Sequence, residues 1–84
     1  MGRLDDAVQA YRAAEAALTR AEAAAVTRIK AARDRRTDAR DRLHVAMVAA
    51  ARAGTPQVEI IRVTGYSRER VRTILRAGGI EPDE

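Results

Sequence analysis

Between Arg68 and Arg76 the chain reads RERVRTILR, and four of those nine residues are arginine. A guanidinium is always charged, planar, and presents five N–H donors in a fixed fork. Its best partners are oxyanions and the paired acceptors on the edge of guanine, which take two parallel hydrogen bonds at once. Glu69 adds a carboxylate acceptor, and Thr73 adds a hydroxyl beside a methyl group. Covalent chemistry has far less to draw on. Ser67 is the single serine and His44 the single histidine, and there is no cysteine. Only Asp41 lies one turn from His44, so nucleophile, base and metal-ligand sets are all incomplete. No enzymatic activity, cofactor or small-molecule ligand is expected, and His44 reads as a surface residue of a helix. Binding is the chemistry to explain.

The spacing of the apolar residues places those arginines. Val71, Ile74 and Leu75 stand at i, i+3 and i+4, the mark of a helix with one buried side. With that side inward, a turn of about 100° per residue puts Glu69, Thr73 and Arg76 outward. Arg72 and Arg68 fall on one flank and Arg70 on the other. Ser67 is a good N-cap, and Gly78-Gly79 ends the helix near Ala77, after which Ile80 can fold back onto the core. Upstream, AGTPQ holds Gly54 to close a helix, Thr55 as an N-cap and Pro56 as a first helical residue. A second helix, Pro56 to Thr64, follows with Val58, Ile60 and Ile61 apolar, and Gly65 permits a sharp turn before Tyr66.

From Leu4 to Arg52 there is neither proline nor glycine, and strong helix formers fill the stretch. One helix of about 70 Å is predicted at 1.5 Å per residue. A break near Thr37-Asp38, where a new helix would be capped, is the alternative. Leu4, Tyr11, Leu18, Ala25, Ala32, Ala39 and Ala46 recur every seven residues. Val8, Ile29 and Leu43 share the companion seam with Glu15, Glu22 and Arg36. This is a coiled-coil register diluted by charge, compatible with parallel or antiparallel pairing. A chain of 84 residues with few large apolar side chains buries little by itself. Disulfides and a zinc cluster being excluded by composition, self-association as a homodimer is the expected remedy.

Charge is unevenly spread. Residues 28–53 hold eight basic and three acidic side chains, whereas residues 1–27 hold three and four. The last acids crowd into Glu81, Asp83 and Glu84, an acidic tail over 81–84 expected to fray. Positive charge in the middle and along the last helix suits a polyanion. The band from Arg28 to Arg42 reads in two ways. It is either a phosphate-tracking helix or a solvated face laced with the i, i+4 pairs Lys30–Asp34 and Asp38–Arg42. No apolar stretch approaches a membrane span, and a cytoplasmic, nucleoid-associated location is expected.

Two short helices joined by a glycine turn, the second rich in arginine, resemble the helix-turn-helix of bacterial DNA-binding regulators. The likeness runs from Gln57 to Leu75 and is nearest to resolvase-type and sigma-factor-type domains, including small actinobacterial regulators with TGYSRERVR-like segments. Gly65 matches the turn, Ser67 the cap of the recognition helix, and Val71 and Ile74 the packing beneath it. Ile61, Thr64 and Tyr66 depart from the small alanine, leucine-like and valine-like residues usual at those places. The resemblance implies an all-α protein with a coiled-coil-like N-terminal helix running into a three-helix DNA-binding domain. Residues 1–37 would form a dimerisation arm and residues 38–80 the helix-turn-helix domain. Leu43, Met47, Ala50, Val58, Ile61, Val71, Ile74 and Leu75 are its expected core.

On this reading Arg68, Glu69, Arg72 and Thr73 read base edges in the major groove of double-stranded DNA. Gln57, Tyr66, Ser67, Arg70 and Arg76 hold phosphates. Each residue also has a plain reading. Glu69 and Arg72 would simply pair in solvent, Arg70 and Arg76 would be hydrated surface, Tyr66 would pack in the turn, and Gln57 would be an ordinary first-turn residue. The expected function is that of a dimeric transcriptional regulator whose half-sites lie about 10 bp apart or a multiple of it. A nucleoid-associated protein of low sequence specificity, or a coiled-coil adaptor contacting the transcription machinery, are the alternatives.

Overall fold

The computed structural model describes residues 2–81, and these are all-helical. Helix α1 spans Arg3–Arg52, α2 spans Gln57–Thr64 and α3 spans Arg68–Ala77. The absence of proline and glycine lets α1 run for 50 residues, and Thr37 and Asp38 lie within it without a break. Asp5 and Asp6 in its first turn and Arg52 in its last complement the helix dipole. Its end is closed by two backbone bonds, Gly54 N–H to the Ala51 carbonyl (3.1 Å) and Thr55 N–H to the Ala50 carbonyl (2.9 Å). Thr55 therefore does not cap α2 as its position suggested. Pro56 takes the cap position without a side-chain hydrogen bond, and α2 begins one residue later, at Gln57.

The chain divides into two compact units, Met1–Arg35 and Arg36–Glu84. In the first, a single stretch of helix has no other element to pack against. Leu4, Val8, Tyr11, Leu18, Val26 and Ile29 are all exposed, at 37–77% of their full area. Lys30 and Asp34 form the expected pair at 2.8 Å.

In the second unit, Met47 of α1, Ile60 of α2, and Val71 and Leu75 of α3 are buried. Val48, Ala50, Ala51, Ile61, Tyr66, Ile74 and Ile80 pack around them. Each helix contributes through its 3.6-residue period. In α2 the inward arc is Gln57, Ile60, Ile61 and Thr64, at i, i+3, i+4 and i+7. Val58 is two residues from Ile60, hence on roughly the opposite side, and it is 68% exposed rather than part of the core. Leu43 is likewise exposed, lying one turn before Met47 on the rim beside Ala46 and Val63. Asp38 and Arg42 do not pair; Asp41 instead meets Arg40 at 3.4 Å.

The end of α3 is locked in three ways. Gly79 adopts φ 86°, a left-handed conformation that glycine takes without steric cost, and Ile80 N–H returns to the Leu75 carbonyl at 2.9 Å. Ile80 thereby folds back onto the core. The Arg52 guanidinium donates to the Gly78 carbonyl at 2.8 Å. Gly78 also packs so tightly on Val48 that a Cβ there would lie 2.4 Å from a Val48 methyl carbon. Of the expected acidic tail, Glu81 is exposed and residues 82–84 lie outside the described residues. Among the described residues no helix is long and apolar enough to cross a membrane.

Candidate nucleic-acid interface

The turn between α2 and α3 is three residues long, and side chains hold it in place. The Thr64 hydroxyl donates to the Ile60 carbonyl (2.7 Å) and accepts from the Tyr66 N–H (3.2 Å). Gly65 sits at φ 72°, its N–H bonded to the Ile61 carbonyl at 2.9 Å. An L side chain at that φ would crowd its own backbone. Ser67 is the N-cap of α3, and its Oγ accepts from the Arg70 N–H at 3.1 Å. Thr64 thus has a clear task, since a leucine in its place would leave the Tyr66 N–H without that partner.

With Val71 and Leu75 fully buried, the rotation of α3 is fixed. Glu69, Arg72, Thr73 and Arg76 are exposed on its free side. Thr73 donates its hydroxyl to the Glu69 carbonyl at 3.0 Å, so that hydroxyl is already spent within the helix. Glu69 and Arg72 do not pair, and among the described residues none of the four α3 arginines forms an ion pair. Arg62 of α2 behaves differently. It donates from Nε to Glu59 Oε2 at 3.1 Å and from a terminal nitrogen to Glu59 Oε1.

Those bonds hold the Glu59 carboxyl below, and the Arg62 guanidinium above, their ordinary titration ranges. A carboxyl lowered in the folded state stabilises the fold above its unfolded pKa. That contribution is lost as pH falls through the lowered value. Arg62 is exposed and Glu59 partly so, and screening by water keeps the effect small. The α2 cation is neutralised at home; the α3 cations are not.

Local electrostatics sharpen that contrast. Arg68 and Arg70 stand in the first turn of α3, where the helix dipole disfavours positive charge. Arg68, the first residue of α3, borders a recess of about 450 Å³ with Gln57, Pro56, Leu75, Ile80 and Glu81. Gln57 is half-buried on the inward arc of α2 and joins Arg68 there. On the other flank Arg70 lies over Tyr66, its guanidinium carbon 3.9 Å from the ring centroid. The Tyr66 ring also meets His44 edge-on, centroids 6.4 Å apart at 82°.

His44 is accordingly not a free surface residue. It lies three residues before Met47, on the margin of the inward side of α1, and its Nε2 is enclosed without a hydrogen-bond partner. The nine residues named from the sequence therefore fall into separate groups. Glu69, Arg72, Thr73 and Arg76 share the free side, Arg68 keeps company with Gln57, and Arg70 with Tyr66. Ser67 is the cap between them. Two further arginines were read only as members of the Arg28–Arg42 band, one of them, Arg36, also as a seam residue. Arg36 and Arg40 of α1, with Thr37, border a recess of about 380 Å³ together with Tyr66 and Arg70. Their i, i+4 spacing in the basic band was the available signal.

No known family model, curated protein or solved structure matches this chain significantly. Its functional reading stands on these residues and their chemistry.

Proposed function

We propose that this chain is a duplex DNA-binding protein in which α2, the Gly65 turn and α3 act as a helix-turn-helix, with α3 entering the major groove. One observation carries the reading. A capped helix anchored through Val71 and Leu75 carries four arginines that form no ion pair among the described residues, two of them in a first turn that disfavours positive charge. Polyanion contact relieves both costs. A neutral protein surface relieves neither.

In this reading Arg72 makes a bidentate contact to guanine, Glu69 accepts from cytosine N4, and the Thr73 methyl touches thymine. Arg68 joins them from its flank at the start of α3. Arg70, Arg76, Ser67, the Tyr66 hydroxyl and Gln57 serve backbone phosphates. The exposed strip Leu4, Val8, Tyr11, Leu18 and Ile29 pairs with a second copy, giving a dimer that reads a two-part site as a small transcriptional regulator.

Selection of bound fragments from a random duplex library tests the proposal directly. Enrichment of a G/C-containing half-site is the expected result. With the selected site in hand, Arg72→Ala should cost about 1–3 kcal/mol at one base position and relax preference there. Equal loss on every sequence moves Arg72 to the phosphates and favours a nucleoid-associated protein of low specificity. No binding to any duplex removes the reading.

A further inference from the structure

Arg36 and Arg40 lie one turn apart on α1, and Arg70 lies on α3, some thirty residues further along the chain. Packing brings them to the border of one recess of about 380 Å³, completed by Thr37 and Tyr66. Among the described residues no carboxylate lines it. The nearby Asp41 reaches Arg40 only at 3.4 Å, with both side chains more than half exposed, so it offsets little of the charge. Three guanidiniums gathered without a matching acid repel one another, and an anion among them reverses the sign of that interaction.

Arg70 is also prepared for such a role. Tyr66 covers one face of its guanidinium at 3.9 Å, which holds the plane while leaving the N–H edge for oxygen acceptors. Ordering a side chain in advance reduces the entropy lost on binding. Ser67 receives the Arg70 backbone N–H, so the residue is fixed at both its main chain and its head group.

We propose that this recess seats one backbone phosphate of the bound duplex, held by Arg36 and Arg40 from α1 and Arg70 from α3. The inference rests on the DNA-binding reading above and adds α1 to the interface. A volume of about 380 Å³ leaves room for a phosphodiester group and several bridging waters, each occupying about 30 Å³. Thr37 and Tyr66, each carrying a hydroxyl, complete the same border. Part of the basic band is then a phosphate contact, and the rest, such as Lys30 with Asp34, remains a solvated pair.

The test compares the wild-type chain with Arg36→Gln/Arg40→Gln by fluorescence anisotropy. Two probes are used, a duplex of random sequence and a duplex from library selection, over about 50–200 mM salt. Both duplexes should lose affinity by the same factor, roughly tenfold, because a phosphate carries no sequence information. The plot of log affinity against log salt should flatten by about one unit per protomer. Arg36→Lys/Arg40→Lys keeps the charge and should keep the wild-type slope.

A wild-type protein that binds both duplexes, with a glutamine variant of unchanged slope and affinity, overturns the recess proposal and leaves the DNA-binding reading standing. Loss confined to the selected duplex also overturns it, by assigning the two arginines to base reading. A lowered melting temperature with an unchanged slope gives them a folding role instead. If the wild-type chain binds neither duplex, both proposals fall.

Discussion

Residues 2–35 and the unit beginning at Arg36 are built from much the same alphabet, alanine and arginine above all, yet only one of them has a core. In the second unit, apolar residues from three helices converge, and Met47, Ile60, Val71 and Leu75 lose nearly all contact with water. In the first, Leu18 is 61% exposed and Tyr11 66%, although both sit in a regular seven-residue repeat. The difference is one of partners more than of composition. An apolar strip on a helix yields free energy only when something covers it, and helix propensity alone supports marginal stability. The unit beginning at Arg36 supplies its own cover. Residues 2–35 have no such cover within their own unit, and the dimer proposed above would supply it from the same repeat in a second copy.

Three substitutions probe this contrast, in descending order of effect. Leu75→Ala removes a fully buried side chain from a four-residue core and should cost about 2–5 kcal/mol. Such a loss is comparable to the whole stability of a unit this small. Thermal melting followed by circular dichroism should show the second unit's transition vanish, and the proposed DNA binding should go with it; a retained sharp transition would mean the core is larger than these residues.

Leu18→Glu places a charge in the exposed repeat. Loss of an interchain leucine contact is worth about 1.5–3 kcal/mol per copy. If the strip pairs as proposed, sedimentation of the variant should report a smaller species than the wild type at the same concentration, with the melting of the second unit untouched. An unchanged dimer would locate the contact elsewhere and remove the role assigned to the strip.

Gly78→Ala drives a Cβ to within 2.4 Å of a Val48 methyl, an overpacking cost of about 1–3 kcal/mol. Combining it with Val48→Ala should recover part of that loss in chemical denaturation. Additive losses would instead show that the two residues do not compete for the same space.

Much of the architecture was legible from the residue order, and the reasons are local. Proline and glycine punctuate the chain at Gly54, Pro56, Gly65 and Gly78-Gly79, and each helix end falls at one of these marks. Ser67 could be read as a cap because serine at a helix start has one simple use, and the return of Ile80 follows from the glycine pair before it. The inward side of α2 was harder. Val58, Ile60, Ile61 and Val63 are spread round an eight-residue helix, too short for its period to select one side, and tertiary packing chose Ile60 over Val58. Long-range proximity was not legible at all. Nothing in the sequence says that Arg36 and Arg40 share a recess with Arg70, or that His44 lies edge-on to Tyr66, because those contacts depend on how three helices pack. Local pairs were legible only in part: Lys30 meets Asp34, Asp38 and Arg42 do not pair, and Glu59 with Arg62 forms an i, i+3 pair that the spacing permits but does not single out.

The stacked ring on the border of the recess shared by Arg36, Arg40 and Arg70 gives the molecule a native optical signal. With no tryptophan and only two tyrosines, replacement of Tyr11 by phenylalanine leaves Tyr66 as the sole emitter, in direct contact with the Arg70 guanidinium. Any ligand that pulls on that guanidinium changes the phenol's surroundings, so occupancy of the recess can be followed by ultraviolet fluorescence without attaching a dye to the protein.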